Sequence, residues 1–175
     1  MKIPPVSIIS IFSLATTLVL TTLPAYAHKY TQQAKLIADD GAANDFFGYS
    51  VALSENTALV GAYRADDNTR GNDVGAAYVF TRSKNTWIQQ AKLTAADGAA
   101  DDTFGGKVAL SGNTAVVGVI RDDDEVKGEN SGSAYVFTRT GNRWSQQAKL
   151  TASDAAEGDS FGWSIAISGD TLVLG

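Results

Sequence analysis

Two short acidic runs carry the side chains best suited to chemistry in this chain of 175 residues. Asp66 and Asp67 form the first run, and Asp122, Asp123 and Asp124 form the second. Carboxylate oxygens are the ligands that Ca²⁺ takes in proteins. The sequence therefore predicts these five aspartates as metal ligands, with calcium as the cation. The alternative is that acidic loops keep the protein soluble and serve no ligand.

Two tryptophans form a second candidate site. Trp87 and Trp144 occupy the same position of an internal repeat, and Tyr30 stands at the third equivalent position. Such rings can stack on a sugar, which would make the protein a lectin-like carbohydrate binder. The alternative is that the rings pack between repeats, as buried aromatic side chains commonly do.

The rest of the composition excludes several kinds of site. The chain has no cysteine, which excludes disulfides, thiolate zinc sites and a cysteine nucleophile. His28 is the single histidine, so a Ser-His-Asp triad would depend on it alone. A net charge of −5 argues against nucleic acid as a partner. Paired carboxylates can hydrolyse glycosides, but here they recur with every repeat, and we predict no enzymatic activity.

The first 27 residues have the pattern of a secretory signal peptide. Lys2 supplies the positive charge, residues 8–20 form a mainly apolar stretch, and Ala25-Tyr26-Ala27 is a cleavage site. The rival interpretation, a membrane anchor, requires a longer apolar run without serine and threonine. We expect cleavage after Ala27, no membrane span thereafter, and a secreted, periplasmic or cell-surface protein comprising residues 28–175.

The remaining chain repeats every 57 residues. Ala-Lys-Leu begins at residues 34, 91 and 148, which divides the chain into units 34–90, 91–147 and a partial unit 148–175. The two full units are identical at more than half of their positions. A repeat of this length indicates an architecture in which neighbouring units bury a shared core.

Each unit contains four strand signals and no convincing helix. In the first unit they cover residues 49–53, 57–62, 76–82 and 86–94, rich in Val, Tyr, Phe, Trp and Thr. Short turns such as Ser111-Gly112-Asn113 suit two-residue hairpins. Four antiparallel strands per repeat are typical of a β-propeller blade, whereas the coil of a β-solenoid is usually much shorter. We therefore predict an all-β protein built from propeller blades.

Three motifs recur in fixed order within the units. The first motif is Phe47-Gly48 followed, after two residues, by Val-Ala-Leu-Ser. The second is Thr-Ala-Leu-Val-Gly-Ala, and the third is Gly-x-Ala-Tyr-Val-Phe. Over about residues 30–175 the chain resembles FG-GAP repeats, the blades of integrin α-type β-propellers and of many bacterial secreted proteins. The resemblance implies a propeller, commonly seven-bladed, that serves as an extracellular binding or adhesion platform.

The chain departs from those repeats at the turn between the first two strands. Integrin-type repeats often carry a D-x-D-x-D-G calcium loop there. Residues 54–57, 111–114 and 168–171 occupy this place and offer too few oxygen ligands to surround Ca²⁺. Calcium binding implied by the resemblance therefore does not extend to this turn.

The repeats also make up only part of a ring. A lone fourth strand, Tyr30 to Leu36, precedes two full units and two strands of a third, which is about two and a half blades of an incomplete propeller. Closure would need other blades or an oligomer, and the strand at Leu172 to Leu174 would leave an open sheet edge. We favour a fragment of a longer propeller over a short protein that assembles with other chains.

The acidic residues should gather at one end of the sheets. In an up-and-down blade, the loops after the second and fourth strands emerge together, and these loops hold all acidic residues except Glu55 and Asp170. We therefore predict a secreted, non-enzymatic binding or adhesion module that contacts an extracellular protein or glycan through this acidic end. The alternatives are a purely structural or non-functional truncated fragment and a lectin-like carbohydrate binder.

Overall fold

A computed structural model describes residues 8–10 and 31–175. The predicted signal peptide, apart from residues 8–10, and His28 lie outside the described residues. The chain divides into two units, Met1–Ile37 and Ala38–Gly175. In the first unit, strand β1 (Ile8–Ser10) pairs in parallel with strand β2 (Gln32–Lys35). Strand β2 falls within the segment predicted as a lone fourth strand.

The second unit is built from antiparallel sheets that follow chain order. Two sheets have four strands each, and a third has two. The prediction of an all-β protein with four-stranded blades is confirmed. The predicted ends of the four strands in the first repeat, residues 34–90, are correct to within one residue. The first blade contains β3 (Ser50–Ser54), β4 (Thr57–Ala62), β5 (Ala76–Ser83) and β6 (Thr86–Leu93). The second contains β7 (Lys107–Ser111), β8 (Thr114–Val119), β9 (Ser133–Thr140) and β10 (Arg143–Leu150), and the partial third contains β11 (Ile165–Ser168) and β12 (Thr171–Leu174).

Two-residue turns connect the first two strands of each blade. Ser54 pairs with Thr57, and the same register recurs in the other two blades. The first turn residue has a positive φ in each case: 51° at Glu55, 54° at Gly112 and 55° at Gly169. Glycine adopts this conformation without strain. The turn chemistry predicted from Gly-Asn and Gly-Asp is therefore present, and Glu55 adopts the same backbone without being glycine.

The blades stack face to face, with the second blade between the first and the partial third. Strand β7 contacts β3 on one side and β11 on the other. The core between the blades includes Leu59, Val79, Phe104, Val117 and Tyr135, each no more than 1% exposed. Stacking therefore buries apolar surface that a single sheet would leave in water.

Glycines let the backbones of neighbouring blades approach closely. A Cβ atom on Gly61 would collide with the carbonyl group of Gly105, and one on Gly118 would collide with that of Gly162. Gly105 has φ 94°, and a Cβ there would collide with the carbonyl oxygen of Ala76. Gly105 and Gly162, the glycines of the second and third Phe-Gly motifs, are thus required at the junctions between blades.

The predicted open edge is present at β12. This strand pairs with β11, and no second neighbour for it occurs among residues 31–175. Val173 is 63% exposed.

No helix in the described part of the chain has the length and apolarity to cross a membrane.

Candidate functional site

The loops and the tight turns lie at opposite ends of each sheet. We call the end that carries the loops β4–β5, β6–β7 and their equivalents the loop end, and the opposite end the hairpin end. All acidic residues except Glu55 and Asp170 lie in loops at the loop end. The hairpin end carries four basic residues: Arg82, Lys84, Arg139 and Arg143. The two ends therefore differ strongly in charge, as the sequence predicted.

Four of the five aspartates predicted as metal ligands bind backbone amides of their own loops. Asp66 accepts a hydrogen bond of 3.0 Å from the Asp73 amide, and the equivalent Asp123 accepts one of 2.7 Å from Asn130. Asp67 and Asp124 each accept bonds from the amides two and three residues ahead. Such bonds are typical of Asx turns. A hydrogen bond from the Thr69 hydroxyl, together with these amide bonds, holds the pKa of Asp67 below the usual value, and the amide bonds from Val126 and Lys127 do the same for Asp124.

Asp122 is the predicted ligand with a different environment. Its carboxylate is 7% exposed and lies 2.7 Å from the ammonium of Lys149. Lys149 also pairs with Asp97 at 2.9 Å, and Asp97 accepts a 2.8 Å hydrogen bond from Tyr135. Burial opposes the charge on Lys149, but its hydrogen bonds to the carboxylates prevail and raise its pKa. The first blade has Ala65 at the position of Asp122, so the Lys149–Asp122 ion pair of the second blade has no equivalent in the first.

The predicted metal ligands do not converge. Residues 31–175 contain no group of three or more acidic or histidine side chains arranged to hold a metal ion. Asp66 and Asp67 belong to a different loop from Asp122, Asp123 and Asp124. Calcium binding stays a prediction, and the structure gives these carboxylates other partners.

Another aspartate recurs in the loop that enters each blade. Asp45, Asp102 and Asp159 accept hydrogen bonds of 2.7–2.8 Å from the amides of Ala42, Ala99 and Ala156. Asp102 is 5% exposed. Burial raises its pKa to about 6, with smaller contributions from the charges of Asp122 and Asp123. These bonds hold the backbone of all three loops in one conformation.

The acidic loops of the first blade enclose an open cleft of about 510 Å³. Asp40, Asp45, Asp66 and Asp67 line it together with Lys92, whose ammonium lies 2.6 Å from Asp40. The cleft thus contains one cation against four carboxylates. The cleft therefore has a net negative charge and attracts positively charged groups.

The two tryptophans lie at the hairpin end, on the outer strands β6 and β10. The guanidinium of Arg82 stands 5.5 Å from the ring of Trp87, and that of Arg139 stands 5.4 Å from Trp144. The indole nitrogen of Trp144 also donates a 2.8 Å hydrogen bond to Gln90.

Trp144 also packs against the core between the blades. These contacts agree with the packing alternative for Trp144. Sugar binding by either ring stays a prediction, and the structure does not bring the two rings together with the acidic loops.

A second cleft, of about 240 Å³, was not predicted from the sequence. It lies at the loop end, where β3, β7 and β11 begin, and its lining includes Tyr49, Lys107, Arg121 and Trp163. The sequence contained one signal for this cleft, a repeat position at which the three units carry different residue types. Tyr49, Gly106 and Trp163 share one repeat position but not one residue type.

Comparison with curated protein sequences found no match. A family model described as FG-GAP repeat matches three segments, residues 30–80, 87–137 and 144–175. The matches begin 57 residues apart, and together they cover most of the chain. Their recurrence agrees with the strand order of the blades and with the glycines at the blade junctions. The chain therefore belongs to the FG-GAP repeat family.

Proposed function

We propose that this chain is a secreted, non-enzymatic binding module whose loop end contacts a basic surface on an extracellular protein. The observation that carries the proposal is the separation of charge between the two ends of the sheets. An acidic surface attracts a basic partner over several ångströms and speeds its association. The predicted leader and the family's β-propeller architecture support an extracellular role.

The loops are suited to binding because their backbones are held in place. Asp45, Asp102 and Asp159 bind backbone amides in three successive loops. Asp66 and Asp123 do the same in the loops that follow β4 and β8. A surface that is already ordered loses less conformational entropy when a partner binds. Functional contacts are commonly made by loops held on a rigid scaffold in this way.

Other carboxylates at the loop end remain free for a partner. Asp101, Glu125 and Glu129 are exposed. Their side chains accept no hydrogen bond from within residues 31–175. They can therefore be changed without removing the bonds that order the loops.

The experiment measures binding of the full chain to a decalysine peptide at low and at high salt. We expect binding that weakens as salt rises, because screening shortens the reach of exposed charges. The variant Asp101→Lys/Glu125→Lys/Glu129→Lys should lose at least about tenfold in affinity, which corresponds to about 1.4 kcal/mol. The control is Glu55→Lys/Asp170→Lys at the hairpin end, which should bind like the original protein.

Equal binding by both variants would contradict the proposal. A folded protein that does not bind the peptide at any salt concentration would favour the purely structural alternative. Secretion is tested separately, by expressing the full chain and sequencing the N-terminus of the exported product. We expect His28 to be its first residue, and a product that keeps Met1 would refute the predicted cleavage.

A further inference from the structure

The unpredicted cleft at the loop end combines exposed aromatic rings with cations. Tyr49 and Trp163 are 56% and 57% exposed. The ammonium of Lys107 lies 5.8 Å from the centre of the Tyr49 ring and 5.7 Å from that of Trp163. Lys107 thus stands between two open aromatic surfaces. Large exposed rings that converge on one cleft are characteristic of ligand-binding sites.

Tyr63 and Arg64 complete one wall of the cleft. The rings of Tyr49 and Tyr63 are 4.5 Å apart, tilted by 53°. The guanidinium of Arg64 lies 5.6 Å from the Tyr63 ring. The aromatic wall is therefore fixed by ring–ring and cation–π contacts before any ligand enters.

The charge of this cleft is opposite to that of its surroundings. Arg64, Lys107 and Arg121 line it, and Asp73 is the one carboxylate in the lining. Asp73 lies 4.0 Å from Arg64. Lys107 and Arg121 form no ion pair with a carboxylate in the described part of the chain. Two cations are therefore available to an anionic group inside the cleft.

A glycine keeps the cleft open. Gly106 occupies the repeat position that holds Tyr49 in the first blade and Trp163 in the third. A Cβ atom on Gly106 would meet only the Thr103 carbonyl oxygen, at an ordinary contact distance of 3.5 Å. Packing therefore does not require glycine here, in contrast to the adjacent Gly105. The missing side chain leaves room between the two rings.

We propose that this cleft binds a single sugar residue that carries a carboxylate, such as a hexuronic acid at the end of a glycan. The apolar face of the sugar ring would stack on Tyr49 or Trp163, and its carboxylate would pair with Lys107 and Arg121. The acidic loops around the cleft repel long polyanions. This selects a small ligand with one negative charge, and the volume of about 240 Å³ agrees with that size.

The test compares galacturonic acid with galactose, which differ at carbon 6 by the carboxylate. Binding to the full chain is measured by ligand-observed NMR and by tryptophan fluorescence. We expect galacturonic acid to bind with a Kd on the order of 1 mM, because a monosaccharide offers few atoms for contact. Galactose should bind at least about tenfold more weakly. Equal binding of the two sugars, or no binding of galacturonic acid to the folded protein, would overturn the proposal.

Three variants locate the site. Lys107→Ser introduces the residue present at the equivalent positions 50 and 164, and Arg121→Gln changes an exposed side chain. Each should weaken galacturonic acid binding at least about tenfold. Gly106→Trp should abolish it by filling the cleft, with the thermal melt showing that the protein is folded. Trp87→Phe is the matched control, because Trp87 lies at the hairpin end.

Unchanged binding in Lys107→Ser and Arg121→Gln would overturn the assignment even if Gly106→Trp failed to fold. This site does not depend on the proposed contact with a basic protein. The charge reversals at Asp101, Glu125 and Glu129 should leave Kd for galacturonic acid the same or lower. Failure of one proposal therefore leaves the other intact.

Discussion

The first strands of the first two blades share one sequence and have different surroundings. Strand β3 and strand β7 both contain Val-Ala-Leu-Ser. Val51 and Leu53 in β3 are 55% and 62% exposed, whereas Val108 and Leu110 in β7 are 9% and 8% exposed. The sequence is identical, so the difference comes from the neighbours. Strand β7 is covered by the first strands of both neighbouring blades, β3 and β11. Within Ala38–Gly175, the only such strand that covers β3 is β7.

This comparison shows that a side chain at a given repeat position is buried only where a neighbouring blade covers it. Its exposure is therefore set by the junction between blades and not by the sequence of its own blade. The free energy of unfolding is then approximately the sum of a contribution from each blade and a contribution from each contact between neighbouring blades. Variants at equivalent positions separate these two kinds of term.

The largest effect is expected at the backbone contact between the first two blades. Gly105→Ala should lower the free energy of unfolding by at least about 4 kcal/mol, because overpacking adds to the strain of a positive φ. Gly106→Ala is the control, since its Cβ has room and its φ is not in the left-handed region. Urea denaturation of both variants measures the difference. Similar losses in the two variants would mean that the junction does not depend on this contact.

The next effect is expected from leucine truncation in the two equivalent strands. Leu110→Ala should destabilise the protein by about 2–5 kcal/mol, as is usual when a buried leucine becomes alanine. Leu53→Ala should cost less than about 1 kcal/mol because that side chain is mostly exposed. Thermal or urea unfolding gives both values. A loss for Leu53→Ala as large as that for Leu110→Ala would show that another surface covers β3 in solution.

A pH effect should arise at Asp102, beside the ion pair that the first blade lacks. Burial raises the pKa of Asp102 to about 6 from 3.8, so the folded protein binds more protons than the unfolded chain between these values. Stability from this group is therefore present below about pH 4 and is lost as pH rises to about 6. The change is at most about 3 kcal/mol.

The difference between the original protein and Asp102→Asn isolates this contribution, because the asparagine oxygen can still accept the Ala99 amide. We expect the variant to gain stability relative to the original protein as pH rises from 4 to 6. A constant difference across that range would refute the raised pKa.

The smallest effect concerns the turn that differs between the blades. Glu55 holds a φ of 51°, where the second blade has Gly112 at 54°. Glu55→Gly should raise stability by up to about 1 kcal/mol, and Gly112→Ala should lower it by about the same amount. Thermal melts of the two variants measure both shifts. Shifts of equal sign would show that the two turns are not equivalent.

Most of the fold could be predicted from the sequence because its signals are local and repeated. The four strands of a unit, the two-residue turns and the acidic loop end each follow from short motifs that occur more than once. The burial of Leu110 and the exposure of Leu53 could not be predicted in this way. Their local sequences are the same, and the cause lies in a neighbouring blade.

The candidate sites were harder to predict because contacts decide what each side chain does. Asp66 and Asp67 resemble metal ligands in sequence, but their oxygens accept bonds from nearby amides. The aromatic cleft joins residues from three blades, and no single motif contains it. Its signal lay in the one position where the repeats differ most in side-chain size, Tyr49, Gly106 and Trp163.

The contact between Gly61 and Gly105 bears on how such a protein can lengthen. Backbone meets backbone there, so the fit at this point contains no side chain specific to one pair of neighbours. A duplicated unit that keeps both glycines can follow any other unit at this contact without new compensating substitutions. Gene duplication can then add blades in steps of one repeat, while the residues of the loop end diverge independently and acquire separate specificities.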